Sequence, residues 1–242
     1  MSEYVRTFNR FELKYRVHYK VARELMRLLQ PHVRRDENAG DGGFYKVLSC
    51  YYDSPDLRCY WEKMDGEKYR RKVRVRTYGA NPDQAFVEIK QRYNLNVQKR
   101  RMRAPIDQVE RVMASIVDGT YAGGEHAVYD EVCWLARQYK LEPKLIVSYN
   151  RAAFFDNYKP DLRITLDRNI RCRNLDLDLR RHRMAGHWAL PPQFLILEIK
   201  FNEVMPRWIG TCLNSLNLEI MRISKYCYGI DRCGMDQHTI EA

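Results

Sequence analysis

The chain has 242 residues, of which 45% are hydrophobic and 30% charged, a balance that excludes intrinsic disorder and is typical of a globular protein. It carries 42 Lys and Arg against 31 Asp and Glu, and this net charge of +11 indicates an anionic partner such as nucleic acid, a phosphate compound or an acidic membrane surface. No apolar run approaches the roughly 18 residues of a membrane-spanning helix, and no signal peptide is recognisable, so we expect a cytoplasmic protein without a membrane segment.

Eight segments alternate in the two-residue period of β-strands. In chain order they span residues 11–17, 45–52, 69–77, 85–90, 97–103, 145–152, 162–167 and 194–201. Helical patterns lie between them at 21–33, 106–117, 125–139 and 206–216, and we expect a last helix at 220–228. Because strands and helices do not alternate regularly, a doubly wound parallel sheet is disfavoured. The pattern predicts an α+β fold, an antiparallel sheet or barrel with helices packed outside, in a single domain over residues 1–242.

On six of these strands the charged side chains share one face. In the third strand, for example, Lys72, Arg74 and Arg76 lie opposite Val73 and Val75. A solvated outer face explains such alternation on one strand. A face rich in cations on several adjacent strands is costly, however, because like charges repel across strands. Two interpretations stay open: exposed outer faces, or a closed barrel whose lumen is lined by Arg and Lys and binds a linear polyanion.

A Glu-x-Lys pair occurs on three of these strands, at Glu12, Glu88 and Glu198. In a cationic lumen such carboxylates could hold a divalent cation against phosphate oxygens, because Mg²⁺ and Mn²⁺ prefer oxygen ligands. Tyr51 and Tyr52 face opposite sides of a strand, so one of them is expected to pack in the core. The seven cysteines show no Cys-x-x-Cys spacing and are expected to be reduced thiols.

A set of short motifs follows the chain in order from about Arg10 to Asp231. They are Arg10-Phe-Glu-Leu-Lys14, Ser49-Cys-Tyr-Tyr-Asp-Ser54, Val73-Arg-Val-Arg76, Phe86-Val-Glu-Ile-Lys90, Tyr149-Asn-Arg151, Leu162-Arg-Ile-Thr-Leu-Asp167, Leu197-Glu-Ile-Lys200 and Ser224-Lys-Tyr226. Each is weak alone, but the ordered set resembles the VTC domain. This is the catalytic domain of the vacuolar transporter chaperone polyphosphate polymerases, within the triphosphate tunnel metalloenzyme (CYTH-like) superfamily.

The resemblance implies an eight-stranded antiparallel β-barrel tunnel with helices packed outside. It also implies a polyphosphate polymerase, which transfers the γ-phosphoryl group of ATP onto a growing polyphosphate chain with Mn²⁺ or Mg²⁺ as cofactor. ATP and inorganic polyphosphate would then be the partners, and nucleic acid is not expected.

The resemblance further implies roles for individual residues. The catalytic phosphate-binding residues would be Lys14, Arg74, Arg76, Lys90, Arg163 and Lys225. Tyr149 and Ser224 would contact substrate, as would Lys99, whose register is open by a residue or two, and Glu198 would bind the metal. With the charge pattern, we add Arg101, Arg151 and Lys200 to the substrate-binding set and Glu12 and Glu88 to the metal set.

One departure bears on the type of reaction. The wider superfamily begins with Glu-x-Glu-x-Lys, whereas this chain has Arg10 at the first position and keeps Glu12 and Lys14. This loss resembles the polymerase branch and differs from the triphosphatase branch. Two alternatives stay open: an inorganic or nucleoside triphosphatase of the same fold, and a non-enzymatic polyanion-binding domain.

Overall fold

The computed structural model describes residues 10–37, 39, 42–79, 82–94, 96–159, 161–181 and 186–236. The strands are β1 (Arg10–His18), β2 (Val33–Arg35), β3 (Tyr45–Asp53), β4 (Tyr69–Tyr78), β5 (Gln84–Tyr93), β6 (Asn96–Pro105), β7 (Glu142–Asp156), β8 (Arg163–Arg173), β9 (His187–Trp188) and β10 (Phe194–Asn202). The helices are α1 (Tyr19–Leu29), α2 (Arg58–Met64), α3 (Ile106–Val117), α4 (Ala127–Tyr139), α5 (Arg207–Ser215) and α6 (Lys225–Arg232).

The strands form one antiparallel sheet in the order β1-β10-β8-β7-β3-β4-β5-β6, with β2 added beside β7 and β9 beside β8. The eight long strands curl into a half-barrel around which the helices pack, which confirms the predicted α+β class and antiparallel architecture. Within the described part of the chain no backbone ladder joins β1 to β6, so these strands are the two edges of the sheet. The strands near these two edges form the two walls of the half-barrel, and side chains such as Glu12 of β1 and Lys90 of β5 meet between them.

The apolar faces of the strands pack on helices outside the half-barrel, as the alternation predicted. Val73, Val75 and Val87 lie in one core with α3 and α4, and Leu197 and Ile199 lie in another with α1 and α5. The opposite faces of the same strands carry the charged residues. Their alternation is therefore explained by one packed outer face and one charged inner face.

Helix α2 contributes Cys59 and Tyr60 to a core on the inner side of the sheet, and helix α6 packs in the same core. Its residues Tyr226 and Ile230 share a core with Val47 of β3 and Val147 of β7. Val47 points to the same side of β3 as Ser49, whose hydroxyl contacts the inner-face residue Arg76. The helix therefore covers part of the half-barrel's open side.

The predicted helix at 220–228 begins five residues late, at Lys225. The backbone N–H of Met221 donates to the carbonyl of Lys14 at 2.8 Å, which anchors the segment before the helix to β1. Ser224 then caps the helix, its hydroxyl accepting from the N–H of Cys227. The predicted helix at 21–33 also ends early, at Leu29, and Val33 starts β2.

Helix α2 was not predicted, because Asp53-Ser-Pro55 indicates a turn. The carboxylate of Asp53 accepts from the N–H groups of Cys59 at 2.8 Å and Tyr60 at 3.2 Å, which satisfies the free donors at the start of the helix. The same carboxylate accepts from the hydroxyl of Tyr226 at 2.6 Å. Asp53 therefore ties α2 to α6.

All seven cysteines are free thiols, and six of them are buried. None of the described helices combines the length and the apolar composition that crossing a membrane requires.

Candidate active site

The sheet register aligns charged residues from several strands on the inner face. On one wall, Arg74 of β4 lies between Tyr51 of β3 and Glu88 of β5, and Glu88 faces Arg101 of β6. On the other wall, Glu198 of β10 lies opposite Lys14 of β1. The sequence pattern had left open whether these faces meet water or a shared cavity, and the register gathers them on one concave side.

The first group of charges, the Glu88 cluster, consists of Glu88, Arg74, Arg76 and Lys99. The Glu88 side chain is only 1% exposed, and one of its oxygens lies 2.7 Å from the Arg74 guanidinium and 3.8 Å from that of Arg76. The ammonium of Lys99 contacts the other oxygen. Burial alone would raise the pKa of Glu88, but these three cations hold it well below its usual value. Glu88 is therefore an anion that organises three cations.

Three hydroxyl groups fix the two arginines of this cluster. Arg74 donates to the Tyr51 hydroxyl at 3.1 Å, and Arg76 donates to Ser49 at 2.9 Å and to Tyr149 at 3.3 Å. Burial would raise the pKa of Tyr51, but the nearby Arg74 and Arg76 lower it to about 8. Tyr51 thus lines the site, while Tyr52 packs against the outer core, as the strand alternation predicted for one of the pair.

The second group, the Glu198 cluster, surrounds a carboxylate that is 4% exposed. Lys225 of α6 lies 2.6 Å from one oxygen, and Lys200 lies 2.8 Å from the other. Lys14 and Arg151 approach to 3.8 Å and 3.6 Å. Burial would raise the pKa of Glu198, but the surrounding cations hold it well below its usual value.

Asp167 is a central member of the Glu198 cluster to which we assigned no role from the sequence. It is fully buried, accepts two hydrogen bonds from Arg151 and lies 2.6 Å from Lys225. The signal was present, since Asp167 shares a strand face with Arg163 and Thr165. Its bonding to Arg151 and Lys225, however, depends on how β7 and α6 meet β8.

Glu12 connects the two walls of the half-barrel. Its carboxylate lies 3.0 Å from the ammonium of Lys90 on β5 and 3.6 Å from those of Lys14 and Lys200. Burial would raise the pKa of Glu12, but these lysines hold it well below its usual value. Burial lowers the pKa of Lys90 despite Glu12. The ion pair of Glu12 and Lys90 therefore links β1 to β5 across the cleft.

The other predicted residues occupy the margins of the site. Arg163 contacts Asp36 at 3.2 Å and the Tyr45 hydroxyl at 3.3 Å. Arg101 is exposed, with its guanidinium 5.2 Å from the centre of the Phe86 ring. Ser224 acts as the cap of α6, which places Lys225 at the first helical position.

Burial, with repulsion from Arg74 and Arg76 added, lowers the pKa of Lys99 to about 7 even though Glu88 opposes the shift. A lysine of this kind changes charge near neutral pH. The site therefore gains or loses a cation within the range in which most enzymes work.

The carboxylates bear on the predicted metal. Glu12 and Glu198 share the neighbours Lys14 and Lys200, whereas Glu88 lies in the other cluster. Among the described residues no group of three or more metal-ligating side chains comes together. Of the three predicted metal carboxylates, Glu12 and Glu198 therefore lie nearest to a common set of side chains, and that set consists of lysines.

The sequence model of the VTC domain matches residues 9–233 of this chain. The chain belongs to the VTC domain family. This confirms the resemblance that the ordered motifs indicated. No curated protein has a sequence that matches significantly.

The chain is also similar to solved structures. A Bacillus halodurans protein described as a candidate adenylate cyclase aligns with a TM-score of 0.52 at 14% identity, over 88% of this chain and 92% of that one. A Pyrococcus horikoshii protein aligns with a TM-score of 0.45 at 13% identity, over 94% and 99% of the two chains. A Pyrococcus furiosus protein aligns with a TM-score of 0.44 at 9% identity, over 89% and 96%. At this level of identity the first likeness shows a common fold.

Proposed function

We propose that this VTC domain is a metal-dependent polyphosphate polymerase, which transfers the γ-phosphoryl group of ATP onto a growing polyphosphate chain. Family membership supports a phosphoryl-handling enzyme of the tunnel type. The observation that carries the proposal is the excess of cations on the inner face. In the part of the chain that the structure describes, the two clusters and Glu12 bring eight cations onto four carboxylates: Lys14, Arg74, Arg76, Lys90, Lys99, Arg151, Lys200 and Lys225 against Glu12, Glu88, Asp167 and Glu198.

Such an excess suits a polyanion for a physical reason. Cations withdrawn from water repel one another strongly because their surroundings are less polar, and a bound chain of phosphates would relieve that repulsion. The fork of an Arg side chain can donate two hydrogen bonds to one phosphate, and Lys supplies a compact charge. The buried carboxylates hold these cations in place before substrate arrives, so little reorganisation is needed on binding.

The reaction needs little covalent help from the protein, because phosphoryl transfer depends mostly on alignment and charge neutralisation. A terminal phosphate oxygen of the acceptor attacks the γ-phosphorus of ATP, the bond from that phosphorus to the β-phosphate oxygen breaks, and ADP leaves. Arg74, Arg76 and Lys225 would neutralise the charge on the transferring group. A divalent cation held by Glu12 and Glu198 would add charge neutralisation at the phosphate oxygens.

The test is to incubate the purified protein with ATP and Mn²⁺ and to size the products on a polyacrylamide gel. Long phosphate chains support the proposal. Release of orthophosphate without polymer would identify a hydrolase, and metal-independent binding without turnover would identify a polyanion-binding domain. Arg74→Gln should abolish polymer formation, and Glu24→Gln, which changes an exposed ion pair on α1, should retain it.

A further inference from the structure

Aromatic rings lie at one end of the inner face, beside the cations Arg76 and Arg103. At this end, three adjacent strands each contribute an aromatic ring: Tyr45 on β3, Tyr78 on β4 and Phe86 on β5. The centres of the Tyr45 and Tyr78 rings are 6.1 Å apart, and the Tyr78 and Phe86 rings meet edge to face with centres 5.4 Å apart. These residues share strand faces with Ser49, Arg76 and Glu88, so the rings line the same cleft as the charged clusters.

The other end of the same strands is strongly cationic. Lys90 of β5 lies directly opposite Lys72 of β4 on one side and Lys99 of β6 on the other. Two residues further along the strands, Arg70 of β4 lies opposite Arg92 of β5. Burial and then the neighbouring Arg92 lower the pKa of Arg70. Like charges directly opposite one another on paired strands are destabilising, so this end is adapted to an anion.

The two ends are joined through the Glu88 cluster. Phe86 lies directly opposite Arg76 in the β4–β5 register, and the Arg76 guanidinium lies 5.9 Å from the centre of the Tyr78 ring. Along the same face of β4, Arg74 lies two residues from Arg76, and Lys72 lies two residues further toward the cationic end. A ligand lying along β4 would therefore pass from rings to arginines to lysines.

We propose that the nucleoside of ATP binds at the aromatic end, with its base stacked on Phe86 and Tyr78, and that the phosphates run past Arg76 and Arg74 toward Lys72, Lys90 and Lys99. This orientation rests on the proposed use of ATP. It follows from the chemistry of the two ligand halves. A base gains stacking energy only at the rings, and phosphates gain charge pairing only at the cations.

Arg101 is placed to complete the base site. It is exposed, and within the described part of the chain its side chain has a ring contact with Phe86 but no ion pair. Its guanidinium can therefore move away from the Phe86 ring and cover the other face of an inserted base. Because every base has a stacking face, this arrangement predicts that GTP binds about as well as ATP.

The test compares the binding of ATP and inorganic tripolyphosphate to Phe86→Leu, a variant that keeps an apolar side chain but loses the ring. We expect the dissociation constant for ATP to rise by roughly 10- to 100-fold, from the loss of a stacked base. The dissociation constant for tripolyphosphate should not change. Phe11→Leu is the matched control, since Phe11 stacks on Phe201 on the outer side of β1. It should leave both constants unchanged.

Equal weakening of both ligands, or no weakening of ATP, would overturn the inference, provided that urea unfolding shows Phe86→Leu to be folded. A second variant tests the opposite end. Arg92→Gln should weaken long polyphosphate more than ATP, and the reverse order would also overturn the inference. The binding data are independent of turnover. A protein that makes no polymer but shows these differences would lose the proposed polymerase function and keep the nucleotide orientation.

Discussion

The guanidinium of Arg151 donates two hydrogen bonds of 2.7 Å to the carboxylate of Asp167, and both side chains are buried. Lys225 of α6 lies 2.6 Å from the same carboxylate. Asp167 thus holds two cations that face Glu198 and any phosphate bound beside it. It acts through Arg151 and Lys225, and is a positioning residue.

Asp167→Asn should destabilise the protein strongly. The variant leaves two buried cations with less negative charge, and breaking one partner of a buried ion pair costs about 3–5 kcal/mol. Urea unfolding measures this loss directly. Glu24→Gln, in the exposed pair with Arg27, should change the free energy of unfolding by less than about 1 kcal/mol. Equal effects of the two variants would show that Asp167 does not have this role.

Glu88→Gln should make the protein less stable without ligand and more responsive to polyanions. The change removes the anion that separates Arg74, Arg76 and Lys99, so these cations repel one another until a polyanion replaces the lost charge. Thermal unfolding with and without tripolyphosphate checks this. The expected result is a lower midpoint without ligand and a larger ligand-induced rise than in the wild type. A rise equal to that of the wild type would contradict the prediction.

Above neutral pH, Lys99 should take up a proton when the protein binds a polyanion. The pKa of Lys99 is lowered to about 7, so its amine is protonated below pH 7 and increasingly neutral above it. A bound phosphate favours the protonated form and raises this pKa. Affinity should therefore weaken as the pH rises from 7 to 9. Titration calorimetry in buffers of different ionisation enthalpy measures the uptake.

Lys99→Arg is the control for this titration, because arginine stays charged throughout. Subtracting the proton uptake of Lys99→Arg from that of the wild type removes the contribution of protons bound by the ligand itself. Since the pKa of Tyr51 is about 8, Tyr51→Phe separates its contribution at the upper end of the range. Identical proton uptake by wild type and Lys99→Arg would exclude Lys99 as the source.

Gly229→Ala should disturb α6. A Cβ at Gly229 would clash with Cδ2 of Leu145 and lie 3.1 Å from the Cβ of Cys172, so the buried Leu145 side chain or the helix itself must shift. Overpacking of this kind costs about 1–3 kcal/mol. Because the helix carries Lys225, activity should fall as well. Urea unfolding and the polymerisation assay measure the two effects.

Gly210→Ala is the matched helical control. Gly210 lies inside α5, and the nearest atom to a Cβ there is Cε of Met205 at 3.8 Å, an ordinary contact. Alanine is favoured over glycine in a helix by about 1 kcal/mol, so this variant should be neutral or more stable. If both variants lost stability equally, the close approach of α6 would not be the cause.

The order of strand and helix patterns in the sequence was sufficient to predict an antiparallel α+β fold, and the alternation of charges predicted which side of each strand is charged. It placed Lys14, Arg74, Glu88 and Glu198 on faces that the structure brings into one cleft. This works because strand alternation is a local property, fixed by the pleat whatever the partner strand.

The pairing of those charges could not be predicted, because it depends on register and on distant segments. Lys14 donates to the carbonyl of Ile223 across 209 residues of sequence, and Glu198 meets Lys225 only after α6 docks inside the half-barrel. The start of α6 was misplaced for the same reason. Met221 bonds to the backbone of β1, a partner that no local pattern reveals.

The docking of residues 221–225 beside β1 has a consequence for biosynthesis. Ribosomes make these residues some 200 positions after Lys14, so Asp167 and Glu198 remain without Lys225 until α6 has been synthesised. A nascent polypeptide that stops short of Lys225 would have its strands but no completed cation-lined cleft. Competence for anion capture is thus delayed until α6 has been made and can fold back onto the strands.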